Sequence, residues 1–116
     1  MKKILIVDDS PVVRGELRAI CEELNDVEIA EADNGKDGID QYFKQHPDLV
    51  FLDVIMPDVN GIDVLKQIGK DANIVMISAL GEYMLSEEAK KLGAIDFVEK
   101  PFSEEMVIKK IQKIIG

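Results

Sequence analysis

The sequence predicts one α/β domain of five βα units, in which a doubly wound parallel sheet lies between two layers of helices. Strand-like and helix-like segments alternate along the whole chain. The first, third and fourth strand-like runs are continuous and apolar, as expected of parallel strands that are buried on both faces. The length of 116 residues suits a single domain that folds without a disulfide. Right-handed crossovers then give a three-layer sandwich.

The first βα unit begins with a strand at about Lys3–Val7. A helix opens at Ser10-Pro11, because serine can cap a helix and proline fits its first turn. Cys21 lies on the apolar stripe of this helix, which favours a small buried hydrophobe over a reactive thiol. The stripe consists of Val13, Leu17, Ile20 and Leu24.

The second and third units follow the same order. Residues Val27–Ala32 alternate more than the other strand-like runs, which predicts an edge strand. Asn34-Gly35 indicates a turn or cap before the second helix, and Pro47 is expected to end that helix. The third strand is Leu49–Leu52, and the loop Pro57–Gly61 is rich in turn-forming residues. The third helix carries the apolar residues Ile62, Leu65 and Ile68.

The last two units complete the (βα)5 pattern. The fourth strand is Ile74–Ile77, and the fourth helix runs from about Glu82 to Leu92 and stops at Gly93, a common helix terminator. The fifth strand is about Asp96–Glu99, and Ser103 is expected to cap the fifth helix.

Composition excludes several classes of function. The chain has 14 basic and 23 acidic residues and a formal net charge of −9, so DNA phosphates repel it and direct nucleic-acid binding is not expected. No apolar run approaches the length of a membrane span, so no membrane insertion is expected. The single cysteine suits a reducing cytoplasm.

Acidic, hydroxyl and basic residues stand where the predicted strands end. Asp8 and Asp9 follow the first strand, and Asp53 follows the third. Ser78 follows the fourth strand, and Lys100 follows the fifth. Each of these residues alone is commonly a solvated or capping residue, but parallel strands bring all their carboxyl ends to one edge, where ligands bind in open α/β sheets. Carboxylates about 4 Å apart repel by roughly 4 kcal/mol per pair, so such a cluster favours a cation, and its oxygen ligands suit Mg²⁺.

The motifs that carry this chemistry occur together and in order along the chain. Over its whole length the chain resembles the receiver domain of two-component response regulators. That resemblance implies a flavodoxin-like fold with strand order 2-1-3-4-5 and a cis peptide bond before Pro101. The motifs are the acidic pair Asp8-Asp9, the acceptor loop Leu52 to Pro57, Ser78-Ala79, and Lys100-Pro101-Phe102.

The resemblance implies specific roles for the clustered residues. Asp53 would accept a phosphoryl group from the phosphohistidine of a sensor histidine kinase. Asp9 and Asp53 would bind Mg²⁺ (or Mn²⁺) directly, together with the backbone carbonyl of Ile55, and Asp8 would act mainly through water. Lys100 would pair with a phosphoryl oxygen.

The resemblance also implies roles for four residues in the conformational switch and in the lifetime of the phosphoryl group. Ser78 would donate its hydroxyl to the phosphoryl group and move toward it. Phe97 matches the switch aromatic of the family, although plain core packing is an equally ordinary role for it. Movement of Phe97 would alter the face formed by the fourth helix, fifth strand and fifth helix, to which an output protein binds. Ile55 and Leu80 would flank the phosphoryl group and slow its hydrolysis.

The function expected from these residues is a signalling switch rather than an enzyme that turns over substrate. We expect a stand-alone receiver domain over residues 1–116, which is monomeric or dimerises on phosphorylation. The residues that open the first helix favour a role in chemotaxis. A phosphorelay intermediate or a receiver cut from a larger regulator are the alternatives. A metal-dependent phosphatase with an aspartyl-phosphate intermediate would want a second Asp at Ile55, and an FMN carrier would not place Asp8-Asp9 in its phosphate loop.

Overall fold

The computed structural model describes residues 1–79 and 83–116 of the chain, and for residues 83–86 it describes the backbone alone. Strands and helices alternate throughout these residues, as predicted. In the described part, no helix has both the length and the apolar character that a membrane span requires. The elements are β1 (Lys2–Val7), α1 (Pro11–Glu22), β2 (Val27–Ala32), α2 (Gly35–Gln45), β3 (Leu49–Asp53), α3 (Gly61–Ile68), β4 (Ile74–Ala79), α4 (Tyr83–Lys91), β5 (Asp96–Lys100) and α5 (Glu104–Ile115).

The five strands form one parallel sheet in the order β2-β1-β3-β4-β5. This confirms both the predicted strand order and the prediction that β2 lies at an edge. Near the carboxyl edge, Val7 is level with Leu52 and Asp53 is level with Ile77. Because all strands are parallel, their carboxyl ends meet at the same edge of the sheet.

Two apolar clusters fill the space on the two faces of the sheet and confirm the three-layer sandwich. Successive side chains of β1 alternate between them, because neighbouring residues of a strand point to opposite faces. Leu5 and Val7 join the cluster under α2, α3 and α4, whereas Ile4 and Ile6 join the cluster under α1 and α5. Each fully buried aliphatic side chain of this size contributes about 1.5–3 kcal/mol to folding.

The predicted helix caps are confirmed at three helices. The side chains of Ser10, Asn34 and Ser103 each accept a hydrogen bond from a backbone N–H in the first turn of the following helix. The end of α2 agrees with the prediction that Pro47 stops this helix. The helix ends at Gln45, and His46, the residue before Pro47, adopts a left-handed conformation with φ 50° and donates its N–H to the carbonyl of Tyr42.

Three strands extend further toward the carboxyl edge than the sequence predicted. The third, fourth and fifth strands were expected to end before Asp53, Ser78 and Lys100, but each of these residues lies within its strand. The reason is cross-strand pairing: Ser78 is level with Glu99, and Ala79 is level with Lys100. The backbones of Asp53, Ser78 and Lys100 are therefore part of the sheet.

Cys21 is fully buried on α1 in the cluster shared with α5. Burial in apolar surroundings raises the pKa of its thiol to about 12, so the reactive thiolate does not form near neutral pH. The prediction of a small buried hydrophobe is confirmed.

Candidate functional site

Four strands deliver polar side chains to one place at the carboxyl edge. Asp8 directly follows β1, Asp53 is the last residue of β3, Ser78 lies near the end of β4, and Lys100 ends β5. Asp8, Asp53 and Ser78 are 0%, 4% and 6% exposed, and they are the buried polar or charged residues of the part of the chain that the structure describes. Polar groups are seldom buried without a use, which marks this edge as the candidate site.

A cluster of three carboxylates lies at the centre of the site. One carboxylate oxygen from each of Asp8, Asp9 and Asp53 lies within 4.8 Å of the others. Asp9 is exposed, whereas the other two are buried. The sheet therefore brings together the three acids that the sequence singled out.

Lys100 supplies a positive charge to this cluster. Its Nζ lies 3.5 Å from Asp53 Oδ1 and 3.4 Å from Asp8 Oδ2. Burial lowers the pKa of Lys100, but the two carboxylates outweigh it, so the pKa lies above its usual value and the ammonium stays charged. One ammonium faces three carboxylates, so the cluster still lacks positive charge.

The surroundings of Asp53 disfavour its charged form. Burial, followed by the neighbouring Asp8 carboxylate, raises the pKa of Asp53 to about 7, and the opposing influence of Lys100 does not cancel them. A carboxylate in such surroundings is stabilised by any added cation.

The donor set fits a hard divalent cation. Asp8 Oδ1 accepts a hydrogen bond of 2.8 Å from the backbone N–H of Ser10. Asp8 Oδ2 is buried and has no hydrogen-bond partner among the described residues, apart from its longer ion pair with Lys100. A carboxylate oxygen that lacks a hydrogen bond and lies beside two further carboxylates matches the oxygen ligands that Mg²⁺ binds.

The loop between β3 and α3 forms one wall of the site. Ile55 lies on this loop and is 54% exposed. The loop closes tightly because the N–H of Gly61 donates to the carbonyl of Val54, at 2.8 Å. A Cβ at Gly61 would lie only 2.1 Å from the carbonyl oxygen of Asp53, so only glycine allows this approach. The sequence showed Gly61 as a turn residue but could not show what it approaches.

Ser78 and Phe97 are connected through the sheet. Phe97 is level with Met76 of the neighbouring strand, and Ser78 is two residues further along that strand. Side chains two residues apart lie on the same face of a sheet, so all three face α2, α3 and α4. The Phe97 ring is partly buried, and Lys90 Nζ lies 5.5 Å from its centroid. Leu80, the other predicted flanking residue, lies outside the described residues.

Arg14 is a site residue that the sequence reasoning missed. Its Nη1 donates a hydrogen bond of 2.7 Å to the backbone carbonyl of Asp8, and its Nε donates one of 3.1 Å to Glu31. In the sequence Arg14 is an ordinary polar residue on the first helix, and its reach back to the preceding strand is not visible there. Between Lys100 and Pro101 the peptide bond is cis, as the resemblance implied.

The chain is similar in sequence and in structure to known proteins. Residues 4–112 match the family model described as the response regulator receiver domain. The chain is 38% identical to the chemotaxis protein CheY of Thermotoga maritima, over 97% of both chains. It is 37% identical to the sensory transduction protein LytT of Bacillus anthracis over 97% of this chain, which spans 47% of that relative. The solved structure of the chemotaxis protein CheY4 of Vibrio cholerae superposes with a TM-score of 0.90 at 27% identity, over 99% of each chain.

Proposed function

Because the chain belongs to the response regulator receiver family, we propose that it is a switch that accepts a phosphoryl group on Asp53 from a histidine kinase and changes its affinity for an output protein. The observation that carries the proposal is the position of Asp53: a buried carboxylate that ends a central strand, 3.5 Å from the Lys100 ammonium and clustered with two further carboxylates. Residues that only cap a helix or lie in solvent would not need to be buried together in this way.

The phosphoryl transfer follows from the groups around Asp53. A carboxylate oxygen of Asp53 attacks the phosphorus of the phosphohistidine, a new O–P bond forms, and the P–N bond breaks. Its electron pair passes to the imidazole nitrogen, which takes up a proton. Lys100, held at the acceptor by both buried carboxylates, is positioned to neutralise charge on a phosphoryl oxygen.

The residues that would hold a divalent cation are Asp8, Asp9 and Asp53, with the backbone carbonyl of Ile55 as a fourth oxygen. The orphaned Oδ2 of Asp8 and the raised pKa of Asp53 support this assignment. The chemistry that Mg²⁺ (or Mn²⁺) supplies when bound is neutralisation of charge on the carboxylates and on the phosphoryl oxygens.

The switch would run from Ser78 to Phe97. A phosphoryl group on Asp53 offers an acceptor to the Ser78 hydroxyl, and both residues lie at the ends of neighbouring strands. Ser78 and Phe97 share one face of the sheet, so a movement of Ser78 leaves space that the Phe97 ring can fill. The surface affected is the face of α4, β5 and α5, which is where the output protein would bind.

Chemotaxis is the pathway that we favour, because relatives similar over their whole length are named chemotaxis proteins. A receiver module of a larger regulator is the second candidate, supported by the sensory transduction relatives of which this chain spans 47%. A phosphorelay intermediate stays a further alternative. Turnover as a phosphatase is disfavoured, because the apolar Ile55 stands where such an enzyme needs an acid.

The proposal is tested by intact mass measurement after incubation with Mg²⁺ and acetyl phosphate. We expect the wild type to gain one phosphoryl group, and Asp53→Asn and the chelator-treated wild type to gain none. A folded wild type that binds Mg²⁺ but gains no phosphoryl group would contradict the proposal and would point to a receiver that works by constitutive protein binding.

A further inference from the structure

Arg14 connects three elements around the acidic turn that follows β1. Its backbone lies in the first turns of α1, and its guanidinium reaches back to the carbonyl oxygen of Asp8, at 2.7 Å from Nη1. On its other side, Nε donates to Glu31 Oε1 on β2, at 3.1 Å. The Arg14 side chain is only 18% exposed, so these bonds are sheltered from water.

We infer that Arg14 is a positioning residue for the cation site, an inference that rests on the proposed function. It acts by fixing the peptide between Asp8 and Asp9. The peptide group is planar, so a bond that holds the carbonyl of Asp8 also sets the direction of the N–H and Cα of Asp9. Asp9 is exposed, and the bond from Arg14 to the carbonyl of Asp8 holds the peptide group that leads into it.

The carbonyl of Asp8 lies where the hydrogen-bonded pairing of β1 with its neighbouring strands ends. The N–H of Asp8 still donates to the carbonyl of Ala32, at 3.1 Å, but the pairing of β1 with β3 ends at Val7. Within the turn, the Asp8 carboxylate accepts a hydrogen bond from the N–H of Ser10. Arg14 binds the carbonyl of Asp8, so that the turn carrying two of the three proposed ligands is held at two points.

Glu31 fixes the direction from which Arg14 approaches. It pairs with Arg14 and also with Arg18, one helical turn further along α1. The hydrogen bond from Arg18 is the main cause that holds the pKa of Glu31 below its usual value, with a further contribution from Arg14. Glu31 therefore stays ionised and anchors the guanidinium of Arg14 to the edge strand.

Two possible roles of Arg14, as a positioning residue or only as a nearby positive charge, predict opposite changes in cation affinity when Arg14 is replaced by a neutral residue. If Arg14 mattered only as a positive charge near the carboxylates, its loss would strengthen cation binding. If it holds the ligand turn in place, its loss weakens binding, as loss of an outer-shell partner of a ligand does in other metal sites, by about tenfold or more. Arg18 provides a matched control, because it pairs with the same Glu31 but does not contact Asp8.

The experiment measures the dissociation constant of Mn²⁺ from the full chain, using the electron paramagnetic resonance signal of free Mn²⁺ at a temperature well below the Tm of each variant. We expect Arg14→Gln to weaken binding about tenfold, Arg14→Lys to weaken it less because lysine keeps one donor, and Arg18→Gln to leave it within about twofold of the wild type. With acetyl phosphate, the Arg14→Gln defect should appear in the Mg²⁺ concentration for half-maximal phosphorylation, and excess Mg²⁺ should restore the maximal rate.

Unchanged or tighter Mn²⁺ binding by Arg14→Gln would overturn the inference while leaving the proposed function in place. Equal weakening by Arg14→Gln and Arg18→Gln would also overturn it, because the shared effect would then belong to Glu31 and α1 in general. If Arg14→Gln does not fold, the comparison of Arg14→Lys with the wild type decides the question. A wild type that binds neither Mn²⁺ nor a phosphoryl group would overturn the proposed function, and the inference with it.

Discussion

Lys100 Nζ lies 3.5 Å from Asp53 Oδ1, although 47 positions separate the two residues in the chain. Their strands are not neighbours, since β4 lies between β3 and β5. The contact therefore depends on the whole order of the sheet and on the length of the lysine side chain. In the proposed mechanism this ammonium serves first the acceptor carboxylate and then the transferred phosphoryl group.

Replacement of Lys100 tests that role. We expect Lys100→Met to slow phosphorylation by acetyl phosphate roughly 10²-fold, because one preorganised charge is lost from the site where negative charge develops. The measurement is the time course of intact mass at saturating Mg²⁺. Lys109→Met removes the same charge from an exposed position on α5 and should not change the rate. Equal rates for both variants would show that the Lys100 ammonium has no part in the transfer.

The raised pKa of Asp53 has a consequence for stability. In the folded chain this pKa is about 7, against an ordinary value of 3.8. The folded state therefore binds a proton more tightly than the unfolded state, so the associated stability is fully present below pH 3.8 and is lost as the pH rises through about 7.

Asp53→Asn removes the destabilising negative charge of the buried carboxylate. Without divalent cations, the Tm of this variant should therefore exceed that of the wild type at pH 8. The difference should shrink toward pH 4.5, where the wild-type carboxyl is protonated. Each kcal/mol corresponds to roughly 4 °C in a domain of this size. Thermal unfolding in a chelating buffer at both pH values measures it. An equal difference at both pH values would contradict the assignment of a buried, destabilised carboxylate.

Gly61 should be intolerant of a side chain. A Cβ there would lie 2.1 Å from the carbonyl oxygen of Asp53, so Gly61→Ala must push the β3–α3 loop away from the strand. We expect a loss of about 1–3 kcal/mol in the free energy of unfolding, measured by urea denaturation. Gly15→Ala is the matched control, because a Cβ at this helix position has no atom within 4 Å apart from its chain neighbours and the backbone of its own helix. It should stabilise the chain by about 0.5–1 kcal/mol, and a loss of similar size in both variants would refute the argument.

Ile55 and Leu80, which the family resemblance predicts beside the acceptor, are expected to lengthen the life of the phosphoryl group. Ile55→Asn combined with Leu80→Glu supplies polar groups that can orient an attacking water, so phosphoryl loss should accelerate roughly tenfold or more. The decay is followed by intact mass after the phosphodonor has been removed. Ile95→Asn, an exposed change just before β5, should leave the decay unaltered. A double variant that decays like the wild type would remove the shielding hypothesis.

The sequence was sufficient for the fold because its local signals agree. Apolar runs, caps such as Ser10 and Ser103, and the alternation in β2 all point to the same arrangement, and the sheet confirms them. Strand ends were predicted less well. The sequence shows where the apolar run stops, whereas pairing with a neighbouring strand carries the ladder on through polar residues such as Ser78.

At the site, the sequence predicted the residues that carry charge but not those that hold them in place. Asp53 and Lys100 are visible because they stand where apolar strand-like runs end, and parallel strands bring those ends to one edge of the sheet. The bond from Arg14 to the Asp8 carbonyl and the approach of Gly61 to Asp53 depend on distances between elements, which residue patterns do not contain. The Asp8 oxygen that lacks a hydrogen-bond partner among the described residues is likewise visible only in three dimensions.

The central claim, that Asp53 is the phosphoryl acceptor, is tested most directly by locating the modified residue. Borohydride reduces an aspartyl phosphate to homoserine, so the chain is phosphorylated with acetyl phosphate and Mg²⁺, reduced, digested and sequenced by mass spectrometry. We predict homoserine at position 53 alone, at a yield that matches the phosphorylated fraction in the intact mass. Homoserine at Asp8 or Asp9, with position 53 unmodified, would contradict the account.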